Sequence, residues 1–286
     1  MFHFHRPTSL DKALRLARSM GQDALFYAGG TDLLPAYRAK LIRPKHLIYL
    51  GSIGGLSNLG LGKGFIRIGA LATHGALASS SLIRTHIPLL AEACGSIGSP
   101  QVRNLGTLGG NLCWGSPAAD TVPVLLVYDA RLRLAGHNGE REIPVAEFFQ
   151  GKNRTALQPG EMLSEILVPK PRGRHAGVFE KIGRRKAMAI SVVSCAALLF
   201  EGGARLRLAL GSVAPFPFRV RAAEEAWREI WNTHDPDGAR RVAETAMGET
   251  RPISDGRAPA WYRRRLSGVV VRRSLDRCLS ALGGMP

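Results

Sequence analysis

Two short segments carry the residue types that grip a diphosphate. The first is Ala28-Gly29-Gly30-Thr31-Asp32 and the second is Gly106-Thr107-Leu108-Gly109-Gly110-Asn111. Paired glycines remove the Cβ atoms that would keep a phosphate off the backbone, and they permit φ > 0. A helix starting directly after such a turn adds free N–H groups and the positive end of its dipole. In the second segment Thr107 and Asn111 add hydrogen-bonding side chains. Asp120, nine residues past Asn111, could accept from sugar or ribityl hydroxyls, or serve as the acidic first residue of a helix. Neither segment is a P-loop, because no Gly-Lys-Ser/Thr follows, and neither has the GxGxxG spacing of a dinucleotide fold. Two such loops, far apart in the chain, could clamp one diphosphate from both sides.

Other reactive types do not form patterns. Cys94, Cys113, Cys195 and Cys278 are scattered without CxxC spacing, which points to reduced structural thiols and an organic cofactor. His3 and His5 alternate on a strand-like start with no third ligand nearby, as surface histidines do. No Ser/His/Asp or Cys/His signature is present, and no carboxylate pair stands out for acid–base work.

The elements that would hold the two segments read as α/β at the start. Ser9 can cap a helix with apolar face Leu10, Ala13, Leu14 and Ala17, which Gly21 stops. Ala24 to Ala28 reads as a buried strand, and Thr31-Asp32 begins a second helix running to about Lys40. His46 to Leu50 is a further strand. The Ser116-to-Asp120 segment leads into an apolar helix or strand through Tyr128, and Arg131 to Leu134 alternates as a strand. Prolines, a glycine and basic residues around Pro169 to Gly173 fit a linker. Beyond it, Ile190 to Phe200 is an apolar β-branched run, Gly202-Gly203 a hairpin turn, and Ala204 to Leu210 the returning strand. Helices are expected at Ala222 to Trp231, Pro236 to Met247 and Ala258 to about Leu282.

The chain has 286 residues, 45% of them apolar, and a formal net charge of +17. That is enough for one large or two medium cores. No apolar run is long enough to span a bilayer, and no leader-like stretch opens the chain, so a cytoplasmic protein is expected. More than half of the basic residues follow Arg172, in clusters such as Arg184-Arg185-Lys186 and Arg263-Arg264-Arg265. Such a field suits an anionic cofactor, an acidic partner or nucleic acid. The sparse aromatics do not interleave with the clusters, which argues against a stacking platform for single strands.

Taken together, AGGTDLLP (28–35), IGSPQVRNLGTLGGNLCWGSPAADTVPVLLVYD (97–129) and FEKIGRR (179–185) resemble the FAD-binding medium subunit of the molybdenum hydroxylases, the xanthine dehydrogenase and aerobic carbon monoxide dehydrogenase type. The resemblance covers nearly the whole chain. It implies an α+β protein: an FAD-binding domain over 1–172, made of two α/β subdomains (about 1–55 and 56–172) of the vanillyl-alcohol-oxidase kind. A C-terminal domain over 176–282, with a three-stranded antiparallel sheet and helices, would follow. It implies that Ala28, Gly29, Gly30, Thr31 and Asp32, with Thr107, Gly109, Gly110 and Asn111, bind FAD. Asp120 would bond its hydroxyls, Leu163 would pack near the flavin ring, and Lys181 would be a further contact. The family works as a relay, with a large molybdopterin-binding subunit and a small subunit carrying 2Fe–2S clusters, assembled as a dimer of heterotrimers. Electrons pass from the clusters through FAD to NAD or another acceptor. Thr31-Asp32 is closer to the hydroxybenzoyl-CoA reductase branch, yet the cysteine-rich insertion of that branch is missing, so the substrate stays unassigned. Two other readings differ in class: a basic nucleic-acid-binding or scaffold protein on a degenerate flavin fold, and a stand-alone FAD oxidoreductase of the vanillyl-alcohol-oxidase type.

Overall fold

A computed structural model describes residues 2–203, 205–233, 235 and 237–283. The first unit is a three-stranded parallel sheet of β1 (His3–His5), β2 (Ala24–Tyr27) and β3 (His46–Tyr49), in the order β1-β3-β2. Helix α1 (Leu10–Met20) covers one face. Its Ala13 and Ala17 pack in one cluster with Ile48 and Leu50. Ser9 caps it, Oγ accepting from Lys12 N at 3.3 Å, and Gly21 ends it at φ 56°. Helix α2 (Leu33–Arg38) leaves the first glycine turn. It stops short of the expected Lys40, which itself adopts φ 60° and cannot continue the helix.

The second unit is a five-stranded antiparallel sheet under a layer of helices. Its strands are β4 (Leu59–Leu61), β5 (Phe65–Gly69), β6 (Arg131–Gly136), β7 (Gly139–Pro144) and, after the short elements below, β10 (Met162–Pro169). The helices are α3 (His74–Ser79), α4 (Ser81–His86), α5 (Pro88–Gly95), α6 (Pro100–Leu105), α7 (Leu108–Trp114) and α8 (Thr121–Val127). A turn of helix α9 (Val145–Phe148) and the small pair β8 (Phe149–Gly151) and β9 (Arg154–Thr155) lead to β10 (Met162–Pro169). The order is β4-β5-β10-β6-β7. Alternation sends Ile66, Ile68, Leu132, Leu134, Ile166 and Val168 inward. Outward, Arg67, Glu165, Arg133 and Glu142 form a ladder of ion pairs at 2.5–2.7 Å. The apolar stretch left open between helix and strand is helix α8, every residue of which is buried.

The third unit is a sheet of β11 (His175–Gly183), β12 (Ser191–Phe200), β13 (Leu206–Gly211) and β14 (Phe218–Arg219). The three long strands match the expected sheet. The fourth, only two residues long, is an addition: it pairs Ala209 with Arg219 and Leu210 with Phe218. Proline on both sides of Phe216 hides so short a strand from any periodicity. Helices α10 (Arg221–Thr233), α11 (Gly238–Glu249) and α12 (Ala260–Leu282) cover one face. The starts expected at Ala204 and Pro236 lie outside the described residues. β12 is buried along its whole length because both faces are covered. Ala196, Leu198 and Phe200 share a core with Val124 and Leu125 of α8. Val193, Cys195, Ala197 and Leu199 share another with Trp227, Val271 and Leu275. Double coverage is why that segment reads as a continuous apolar run.

Many basic residues are spent internally. Arg219 bonds Glu224 and Asp129, and the buried Arg263 reaches Asp255 and the carbonyls of Val192 and Ile253. Among the described residues no helix is long and apolar enough to cross a membrane.

Candidate flavin site

Parallel strand β2 delivers the first glycine turn to the end of the sheet, as such strands do at ligand crevices. Gly30 has φ 71°, and a Cβ there would sit 2.6 Å from the Tyr27 ring, so only glycine fits. A Cβ on Gly29 would lie 1.9 Å from the carbonyl oxygen of Leu105, the last residue before the second motif. A Cβ on Gly110 would lie 3.9 Å from that of Ala28, and one on Gly106 would lie 3.3 Å from Thr31 Oγ1. The two motifs, far apart in sequence, are therefore in contact. Absent side chains at Gly29 and Gly106 are what allow the contact.

The two halves offer different chemistry. Among the described residues, no backbone acceptor is found for the N–H groups of Gly29, Gly30, Thr31 and Asp32, while the Gly30 carbonyl accepts from Leu34 N at 3.0 Å. Asp32 is exposed and makes no capping bond of its own. The second motif was expected to give a phosphate access to its backbone through its glycines. It is instead the first turn of α7, and its amides are taken. Leu108 N donates to Ala72 O at 2.9 Å and Gly109 N to Ala70 O at 2.8 Å. Gly110 N donates to Thr107 Oγ1 at 3.0 Å and Asn111 N to Thr107 O at 3.0 Å. The cause is a threonine cap plus a seam to the β5–α3 connection, where Thr73 bridges Thr107. Loop one carries the amide donors. The turn at Thr107 contributes the Thr107 hydroxyl and the Asn111 amide.

Behind this floor runs a polar chain. Thr121 Oγ1 donates to Asn111 Oδ1 at 2.7 Å, which fixes the amide so that Nδ2 remains a donor. Next to it Asp120 is 5% exposed. It stands at the start of α8 but makes no cap. Its carboxylate binds Lys181 Nζ at 2.6 Å and accepts from Ser191 Oγ. Lys181 Nζ also donates to Ser96 O at 3.0 Å. Burial pushes the Asp120 carboxyl above its usual value, against the opposing pull of Lys181 and Ser191. The expected acceptor and the expected contact residue are thus partners of each other. Leu163 is 3% exposed and lies in the core cluster that holds Leu108 and Leu112. Its backbone bonds Cys113 of α7, and burial pushes that thiol up to about 12. The neighbouring Ser164 carbonyl accepts from Ala70 N at 3.0 Å. This ties the β10 irregularity between Leu163 and Glu165 to the start of α7.

Residues 1–171 match the model of the FAD binding domain in molybdopterin dehydrogenase, and residues 178–278 match the CO dehydrogenase flavoprotein C-terminal domain. The carbon monoxide dehydrogenase medium chain of Afipia carboxidovorans is 33% identical over 96% of both chains. The xanthine dehydrogenase FAD-binding subunit of Escherichia coli O157:H7 is 32% identical over 98% of this chain and 97% of its own. A crystal structure of Cu,Mo-CO dehydrogenase in its cyanide-inactivated form superposes with a TM-score of 0.91 at 32% identity, covering 97% of both chains. Quinoline 2-oxidoreductase from Pseudomonas putida 86 gives 0.91 at 26% identity. The chain belongs to the FAD-binding medium subunits of the molybdenum hydroxylases. As a medium subunit of that family it is an oxidoreductase flavoprotein with FAD as cofactor.

The residues present suit that group. Glycines at 29 and 106 let the two segments close on each other, and free amides with neutral hydroxyl and amide donors are what a diphosphate takes. Beyond the expected residues, the candidate site draws in Thr73, Ser96, Thr121 and Ser191. Nothing in their local sequence distinguishes Ser96 or Ser191 from other serines. Thr73 was readable as a helix cap. His3 and His5, set aside as surface residues, meet His46 on the adjacent strand, with His5 Nε2 and His46 Nδ1 3.1 Å apart. Among the described residues no group of three or more His, Cys, Asp or Glu is arranged to hold a metal ion.

Proposed function

We propose that this medium subunit receives electrons from 2Fe–2S clusters of a small partner subunit and passes them to an external acceptor such as NAD. A large molybdopterin-binding partner would oxidise the substrate, within a cytoplasmic dimer of heterotrimers. The observation that supports this most directly is the contact between the two glycine motifs, through Gly29 with Leu105 and Gly106 with Thr31. FAD, when bound, supplies the ability to take up and release electrons singly or in pairs.

The chain's own residues bind and orient. The amides of Gly29, Gly30, Thr31 and Asp32 would hold the diphosphate, following Ala28 out of β2. Thr107 and Asn111 would donate from the other side, across Gly109 and Gly110. Asp120, held by Lys181 and Ser191, would accept from hydroxyls with its remaining lone pairs. Lys181, anchored on Ser96 O and Asp120, would keep its positive charge near the ring. Leu163 would close the apolar side. No residue of this chain is assigned a proton-transfer step on substrate.

The test is a flavin titration of the full chain. Purified protein should be yellow, or become so with FAD, and dithionite should bleach it. A colourless chain that takes up no FAD would refute the reading. Co-purification with untagged large and small subunits tests the relay, since FAD should then be reduced by substrate only in the complete complex.

A further inference from the structure

The segment Ala72-Thr73-His74-Gly75 enters α3, with Thr73 Oγ1 accepting from Ala76 N at 3.2 Å. His74, the first helical residue, is 3% exposed. Its backbone N donates to Gly106 O at 2.9 Å, directly beneath the second motif. Its Nδ1 is sealed from solvent with no hydrogen-bond partner. Among the described residues nothing compensates that atom, and a leucine or methionine would fill the space without the penalty. Burial lowers the imidazole to about 4, so the ring is neutral. Without an acceptor at Nδ1, the neutral ring keeps its proton on Nε2, because an unpaired buried N–H is worse tolerated than a bare acceptor.

The ring's other edge faces the junction. Cδ2, bonded to Nε2, lies 3.2 Å from the point where a Gly106 Cβ would be, and Thr31 Oγ1 lies 3.3 Å from the same point. His74 and Thr31 thus flank one spot from the two sides of the clamp. We propose that His74 is a further cofactor-binding residue, whose Nε2–H is the donor that the second motif's bonded amides cannot supply to the FAD diphosphate. The proposal rests on the FAD reading above and adds a residue to it.

The experiment titrates the flavin-stripped full chain with FAD, following flavin fluorescence, and records the apo Tm of each variant. His74→Leu should weaken binding about tenfold or more, the effect of losing one hydrogen bond to a charged group. Its apo Tm should equal or exceed that of the wild type. His74→Gln places an amide nitrogen near the Nε2 position and should restore affinity to within about threefold. His74→Asn, whose nitrogen mimics Nδ1, should behave like His74→Leu. If His74→Leu does not fold, the Gln and Asn pair decides alone. Wild-type affinity in His74→Leu would overturn the proposal, as would rescue by Asn and not Gln. A wild-type chain that takes up no FAD would overturn both readings before any variant is made.

Discussion

Replacing Lys181 by methionine would strip the counter-charge from a carboxylate that water cannot reach. Asp120 is 5% exposed and Lys181 approaches it at 2.6 Å, so little solvent is available to replace the ammonium. Removing one partner of a buried pair costs about 3–5 kcal/mol, since the other charge stays behind. For a chain of this size, each kcal/mol lowers Tm by roughly 2 °C or more, so Lys181→Met should lose at least about 6 °C. The double variant Asp120→Asn/Lys181→Met removes both charges and keeps a polar partner for Ser191. It should return to within about 1–2 kcal/mol of the wild type, a coupling that a double-mutant cycle by thermal or urea unfolding measures directly. A pH series adds a sign. Burial already holds the Asp120 carboxyl above its usual value, and losing Lys181 raises it further. The folded variant then binds a proton more tightly than the unfolded chain does, so its deficit should shrink as pH falls. An unchanged Tm in Lys181→Met, or a double variant that loses the sum of both singles, would refute the argument.

Three further outcomes follow from the same geometry. Gly29→Ala drives a Cβ to 1.9 Å from Leu105 O, so the loops must part. Flavin retained per chain on gel filtration should collapse, whereas Gly54→Ala, with nothing within 4 Å, should retain it in full. Thr107→Val deletes the cap on Gly110 N and should cost about 1 kcal/mol, roughly 2–4 °C in a melting curve, together with weaker FAD binding. Arg257 holds the Asp255 carboxyl down at about 2, and Arg133 and Arg141 hold Glu142 and Glu161 low. Depressed carboxylates stabilise fully above their unfolded values and lose that contribution as pH falls through their folded ones. Urea midpoints should therefore be flat from pH 7 to about 5 and fall toward pH 2. A midpoint that rises on acidification would exclude these ion pairs as stabilising elements.

Local chemistry made much of the candidate site readable before any fold was known. Glycines at 29, 30, 109 and 110, the side chains of Thr107 and Asn111 beside them, and an acidic residue nine positions past Asn111 are short-range signals. So are the cap at Ser9, the stop at Gly21 and the alternation of Arg131 to Leu134, because each depends on neighbours within one turn or one pleat. The apolar run Thr121 to Val127 was ambiguous for the complementary reason. Complete burial erases periodicity, and only its packing beneath the C-terminal sheet makes it a helix. Strand β14 escaped for lack of length.

The sequence alone determined which segments could bind a diphosphate, and its resemblance pointed to FAD and to the family. Tertiary structure decided what each segment contributes. It pressed Gly29 onto Leu105 and Gly106 onto Thr31, joining motifs that no local rule connects. It consumed the amides at the start of α7 in a seam to Ala70 and Ala72, leaving the free donors on loop one. It spent Asp120 on Lys181 and Ser191, and it sealed His74 beneath the junction with an unpaired nitrogen. Backbone propensity acts over a few residues, while these pairings span from 32 to more than 70 positions. They exist only once three sheets and their helices have packed together.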